Sequence, residues 1–283
     1  MPVRLLHQEN GHFVDRTATS GLAGSEGWWN TVTVADLNAD GRPDLVLGNL
    51  GLNSSLRASA NEPARLYVGD FGNTGSLEQF LTVYKDGVSY PVAGRDEIVR
   101  LLPTLRSRYP SYTSFGASRL EDILPTEALA AAVVSVARDF ASSVAINRGD
   151  GTFALHALPA EAQFAPVYAA LAQDFDGDGN LDLLLAGNLF GVTPLPGRYD
   201  ASYGLLLHGR GDGSFTAVDL ETSRLIIEGQ VRHLRTLRAA NGEQLVVAAR
   251  NDTTLAFVRP LGGASVSAAR PRSHRRAAVS GGH

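Results

Sequence analysis

The stretch Asp36-Leu-Asn-Ala-Asp-Gly-Arg-Pro-Asp-Leu-Val-Leu-Gly-Asn-Leu50 recurs later in the chain as Asp174-Phe-Asp-Gly-Asp-Gly-Asn-Leu-Asp-Leu-Leu-Leu-Ala-Gly-Asn-Leu189. The second copy has one inserted residue, Ala186. Each copy sets side-chain oxygen donors at positions 1, 3, 5 and 9: Asp36, Asn38, Asp40 and Asp44, then Asp174, Asp176, Asp178 and Asp182. Gly41 and Gly179, at position 6, permit the sharp turn that wraps a chain around an ion, and position 7, Arg42 or Asn180, offers a backbone carbonyl. Carboxylates this close repel one another unless a cation joins them. Hard oxygen donors on a flexible loop favour Ca²⁺; Mg²⁺ demands a tighter octahedral cage. An EF-hand does not fit, because its position 12 needs a bidentate Glu and here holds Leu47 or Leu185. A solvated acidic turn would use the same residue types, but a second copy at the same spacing weighs against it. A degenerate third loop, Asp70-Phe-Gly-Asn-Thr-Gly-Ser-Leu-Glu78, keeps only Asp70 and Glu78, with Gly72 and Thr74 in place of donors. Occupied and empty readings of it both stay open.

Outward from these loops, the flanks read as strands. Thr31–Ala35 and Tyr168–Ala172 enter the loops; Leu45–Leu47 and Leu183–Leu185 leave them. Further strands are expected at Arg65–Val68, Leu81–Tyr84, Gly204–Leu207, Ile226–Leu237, Leu245–Ala249 and Leu255–Val258. A second repeat is a glycine turn ending in Phe: Asn10-Gly-His-Phe13, Asn147-Arg-Gly-Asp-Gly-Thr-Phe153 and Gly209-Arg-Gly-Asp-Gly-Ser-Phe215. Many short strands separated by turns predict a repeated all-β architecture. One segment breaks the pattern. Residues 95–140 contain Asp96–Leu102 and the Ala-rich Thr126–Ala137, with Thr126 as the expected N-cap, and read as a helical insertion between blade-like units.

The 283 residues weigh 30.0 kDa, enough for one large domain or two small ones. At 44% hydrophobic and 19% charged, the composition supports a packed core. No apolar run approaches the ~20 residues of a membrane-spanning helix. The absence of cysteine excludes disulfide scaffolds, thiol catalysis and cysteine-ligated metals. A net charge of −4 argues against binding driven by nucleic-acid phosphates. Lys85, the single lysine, precedes Asp86, so a Walker phosphate loop is excluded. Residues 263–283, with Arg270, Arg272, Arg275 and Arg276 and no acid, read as a disordered basic tail. Without those four arginines the chain holds 21 Lys+Arg against 29 Asp+Glu, a distinctly acidic body. No secretory signal is visible at the start, which taken literally keeps the product in the cytoplasm.

The two loops, the Gly-Asn segments after them, the Gly-Asp-Gly-x-Phe turns and Gly27-Trp-Trp-Asn30 resemble FG-GAP or VCBS repeats of the integrin-α-type β-propeller. More closely they resemble the bacterial group related to cartilage acidic protein that carries an ASPIC/UnbV region. The likeness runs over about residues 5–260. It implies an all-β propeller of four-stranded blades, usually seven. Strands for only about three to four blades can be counted here, so the expectation is a partial propeller over 1–262, as the C-terminal part of a longer protein would form. Such an arc would need missing blades or self-association to close. The resemblance implies Ca²⁺ ligation by Asp36, Asn38, Asp40 and Asp44, and by Asp174, Asp176, Asp178 and Asp182, with Asp70 and Glu78 carried over only weakly. It also implies an exported or cell-surface location.

Two function classes follow. One is a non-catalytic, Ca²⁺-stabilised module for protein or carbohydrate recognition, or adhesion, at a bacterial surface. The other is a Ca²⁺-dependent polysaccharide lyase or glycoside hydrolase, for which Arg106, Arg108, Tyr112 and Tyr199 are candidate residues. The sequence itself offers no nucleophile–base constellation: the seven histidines show no ligand spacing, and no Gly-x-Ser-x-Gly elbow occurs. The tripeptides Arg148-Gly-Asp150 and Arg210-Gly-Asp212 resemble integrin ligands, but the glycine turn already accounts for their Gly-Asp. Of the adjacent Trp28 and Trp29, only one can face a given core if they lie on a strand.

Overall fold

The structure is a computed structural model, and it describes residues 1–192, 197–241 and 243–259. The tail expected from residue 263 lies outside the described residues. Strands make up 37% of the described residues and helices 14%. The strands are β1 (Leu6–Glu9), β2 (His12–Asp15), β3 (Thr31–Ala35), β4 (Asp44–Gly48), β5 (Ala64–Gly69), β6 (Glu78–Lys85), β7 (Val88–Pro91), β8 (Val133–Ala137), β9 (Ser143–Asn147) and β10 (Phe153–Ala157). They continue as β11 (Val167–Gln173), β12 (Asp182–Gly187), β13 (Leu205–Gly209), β14 (Phe215–Ala217), β15 (Val231–Arg238), β16 (Gln244–Arg250) and β17 (Ala256–Val258).

Among the described residues they form five antiparallel sheets, none closed into a barrel: β1-β2, β10-β9-β4-β3, β11-β12-β13-β14, β15-β16-β17 and β7-β6-β5-β8. Strands β3, β11 and β15 contact one another in series, so three sheets stack face to face as successive blades. This is a partial, propeller-like all-β fold. The β1-β2 hairpin turns through Asn10 and Gly11, both at positive φ as a two-residue hairpin turn requires.

Period-2 patterning decides what each face covers. In the first sheet, Val46 and Val144 face the second sheet, while Leu47 and Ala145 face the N-terminal segment, where Leu22, Val3 and Leu5 cover them. In the second sheet, Leu183, Leu185 and Leu207 pack on the first sheet; Leu184, Ala186 and Leu206 pack on Val231, Leu234, Val246 and Ala248 of the third. Strand β12 is therefore buried on both faces throughout, which is why its sequence reads as an unbroken apolar run rather than an alternation.

The Gly-Asn repeat has a packing cause. A Cβ on Gly187 would lie 1.7 Å from the Pro166 carbonyl oxygen, and one on Gly48 would lie 2.5 Å from that of Val167. The asparagines then tie segments together. Asn188 donates to the carbonyls of Ser202 and Gly229; Asn49 donates to those of Asp139 and Ala141 and accepts from the Trp28 amide.

The insertion differs from expectation in two ways. It interrupts a blade rather than separating two, because β4 pairs directly with β9 and the chain between them forms the whole β7-β6-β5-β8 sheet with its helices. Helices do run from Arg95–Leu101 to Thr126–Ala131, and Ile98, Leu102, Tyr109, Leu120 and Ile123 pack with Phe80 of β6 and Phe71 of the β5–β6 loop. The helix expected over Thr126–Ala137, however, ends at Ala131; Pro125, not Thr126, is its N-cap, and Val133–Ala137 is strand β8. Val133, Val134 and Val136 are β-branched residues whose χ1 freedom a helix restricts, and β5 offers them a ladder. The strand expected over Ile226–Leu237 likewise begins only at Val231.

Candidate metal centre

Both acidic loops join the first two strands of a blade: residues 36–44 link β3 to β4, and 174–182 link β11 to β12. Their carboxylates divide into scaffold and presented groups. At position 9, Asp44 and Asp182 are buried. Asp44 accepts the Leu37 amide at 2.9 Å and the Asn147 amide at 2.7 Å. Asp182 accepts the Phe175 and Gly209 amides, both at 2.9 Å. Each thus clamps the loop to the third strand of its own blade. At position 1, Asp36 accepts the Asp40 and Gly41 amides, and Asp174 those of Gly177 and Gly179, which folds the loop over itself.

Positions 3, 5 and 7 separate the loops. In the first, the Asn38 side-chain amide donates to Asp40, and the Arg42 guanidinium pairs with the same carboxylate. Arg42, expected to matter through its carbonyl, also lays its side chain along the outer turn, with Nε 3.4 Å from the Asn147 carbonyl. In the second loop, Asn180 takes that place without a charge, donating its backbone and side-chain amides to Asp178. The Asn180 backbone N–H, then its side chain, hold the Asp178 carboxyl below the ordinary Asp range. Asp174, Asp176 and Asp182 bring carboxylate oxygens within 4.8 Å of one another.

One neighbour of the second loop is absent from the sequence expectations. His208 on β13 stands over it, with Nδ1 3.0 Å from Asp176 Oδ2 and 3.3 Å from Asp182 Oδ1, and Nε2 3.8 Å from Asp178 Oδ2. Asp176, Asp178 and His208 form a second group of ligand atoms within 4.8 Å. Histidine spacing along the chain cannot reveal it, since the partners come from another strand. Alignment of the glycine turns can: the residue before Gly209 stands where Ile146 precedes Asn147.

The third loop joins β5 to β6 in the inserted sheet. Asp70 accepts the Thr74 and Gly75 amides, and Glu78, buried, accepts those of Phe71 and Gly72. The scaffold positions persist while the presented ones are missing, so this loop gathers two carboxylates where the second gathers four. Among the described residues, both metal-competent groups lie at the second loop.

Three of the remaining candidates lie on the insertion: Arg106 lines a cleft with Arg95, Asp96 and Arg100, Tyr112 hydrogen-bonds the same Asp96, and Arg108 stacks over Tyr109. Tyr199 packs instead beside Leu50 and Phe140. In both Arg-Gly-Asp turns the Asp carboxylate is engaged internally, by the backbone N–H and hydroxyl of Thr152 or Ser214. Trp29 donates its indole N–H to the Ser25 carbonyl, while Trp28 stays partly exposed against Phe140.

The donor chemistry fits a divalent cation: hard oxygens, arranged by backbone amides, with surplus negative charge at the second loop. No helix among the described residues is long and apolar enough to cross a membrane. No curated protein sequence matches the chain. A family model described as an FG-GAP-like repeat matches residues 1–47. That match takes in the β1-β2 hairpin, β3, the whole first acidic loop and β4 as far as Leu47. The chain carries an FG-GAP-like repeat, and its first acidic loop lies inside it.

Proposed function

We propose that this protein is a non-catalytic, Ca²⁺-stabilised propeller module that recognises a protein or carbohydrate ligand outside the cell. The observation that carries the reading is the pair of acidic loops at one topological place in two consecutive blades. Each is wrapped by its own amides, and the second keeps an uncompensated cluster of four aspartates. A cation there relieves the carboxylate repulsion and fixes the turn between two inner strands, so binding becomes folding stability. The repeat match supports a module built for interaction. Fold likeness alone does not name a ligand.

The test is a thermal melt of the full chain in chelator, in Ca²⁺ and in Mg²⁺. A Ca²⁺ concentration about 100-fold above the dissociation constant adds about 2.7 kcal/mol per occupied site. A melt indifferent to Ca²⁺ would overturn the metal reading, and turnover of an acidic polysaccharide would overturn the non-catalytic one.

A further inference from the structure

His208 lies on β13, outside the loop it faces. It pairs with Thr216 in the β13-β14 ladder, and its side chain, 38% exposed, belongs to no hydrophobic cluster. The homologous position in the first blade is fixed by the clamp. Asp44 accepts the Asn147 amide as Asp182 accepts that of Gly209, so Ile146 is the counterpart of His208. Ile146 packs into the core between the first two sheets. The same strand position therefore holds a core hydrophobe in one blade and an imidazole over three carboxylates in the other.

We propose that His208 is a nitrogen ligand that makes the second loop a site for a zinc-class divalent ion, whereas the first loop offers oxygen alone. The inference rests on the cation reading above and sharpens it. Calcium takes oxygen donors, while imidazole nitrogen suits zinc and its transition-metal neighbours. Ligand atoms each about 2.1 Å from a tetrahedral zinc stand about 3.4 Å apart. From Nδ1, the imidazole nitrogen that would ligate, the separations to Asp176 and Asp182 are 3.0 and 3.3 Å, close to that span. Asp182 keeps lone pairs for a metal while it accepts backbone N–H groups. Asp176, in a position filled by Asn38 in the first loop, supplies the extra negative charge.

The experiment compares the full-length wild type with His208→Ala and His208→Ile, the latter copying the first blade. Zn²⁺ and Ca²⁺ affinities are measured by calorimetry, with the Co²⁺ absorption spectrum as a report of nitrogen ligation. The other six histidines are common to all three proteins and cancel in the comparison. Loss of a ligand should weaken Zn²⁺ by at least about 100-fold, the upper end of what outer-shell changes cost, with Ca²⁺ changed by less than about threefold. Zn²⁺ affinity equal in wild type and both variants, with Ca²⁺ still bound, overturns the role of His208 and leaves the calcium reading standing. Failure of the wild type to bind either ion overturns both. Should the variants fold poorly, the His208 imidazole NMR signal in the wild type decides: a shift on adding Zn²⁺ supports ligation, and an unmoved signal refutes it.

Discussion

The loops at residues 36–44 and 174–182 share spacing, topology and a buried clamp, yet differ in where their counter-charge comes from. The first has three aspartates, and Arg42 already pairs with one of them. The second has four, no arginine, and a histidine from the third strand. One loop pairs an aspartate with its own arginine; the other has no arginine in the loop. A single motif thus combines two properties: position 9 accepts the two backbone amides that clamp the turn, and positions 3, 5 and 7 set the charge the loop carries.

The largest expected effect tests the shared part. Asp44→Ala and Asp182→Ala each strand two buried amides, at about 1–3 kcal/mol apiece, so each variant should lose about 2–6 kcal/mol. Denaturant unfolding in chelator measures this. Equal losses support a common scaffold; a loss confined to Asp182 would break the equivalence.

The next effect tests the difference. Asp178→Ala should remove most of the second loop's share of the Ca²⁺ gain, about 2.7 kcal/mol at 100-fold excess over the dissociation constant. Asp40→Ala should remove less, because Arg42 competes for that carboxylate. The difference in melting temperature between Ca²⁺ and chelator, variant by variant, is the readout. A third variant inverts the logic. Arg42→Ala should cost less than about 1 kcal/mol in chelator, as exposed ion pairs do. It should also raise the first loop's Ca²⁺ affinity, since the built-in cation has gone. Unchanged affinity would mean that Arg42 does not shield the loop.

The same division explains what could be read in the sequence. The loop strands and the blades were legible because acidic spacing, glycine turns and short apolar runs are local signals. The strand at Leu183–Leu185 was legible too, though its burial on both faces comes from the sheets that cover β12. The insertion was not. Its helices show in the Ala-rich run, but Val133–Ala137 becomes a strand only because β5 provides a partner, and nothing local says that β4 resumes its sheet at Ser143. At the site, the aspartates were legible and His208 was not, because contact across β12 and β13 is a property of the register. Arg42 was noticed for its carbonyl, whereas its guanidinium makes the difference.

The outer glycine turns give the smallest effect and a control, since here the two blades should behave alike. The Thr152 hydroxyl and then its amide hold the Asp150 carboxyl below the ordinary Asp range, and Ser214 does the same for Asp212. A depressed folded-state value means stability that is present above the unfolded value, about 3.9, and lost as pH falls through the folded one. Both carboxylates are exposed, so solvent screens the contribution and the loss should be slight. Thr152→Ala and Ser214→Ala should therefore melt slightly below wild type at pH 7, by equal amounts and with no dependence on Ca²⁺, and the deficit should vanish in acid. If the Ser214 variant alone responded to Ca²⁺, the second blade's outer turn would be coupled to its metal loop, and the asymmetry between the blades would reach beyond positions 3, 5 and 7.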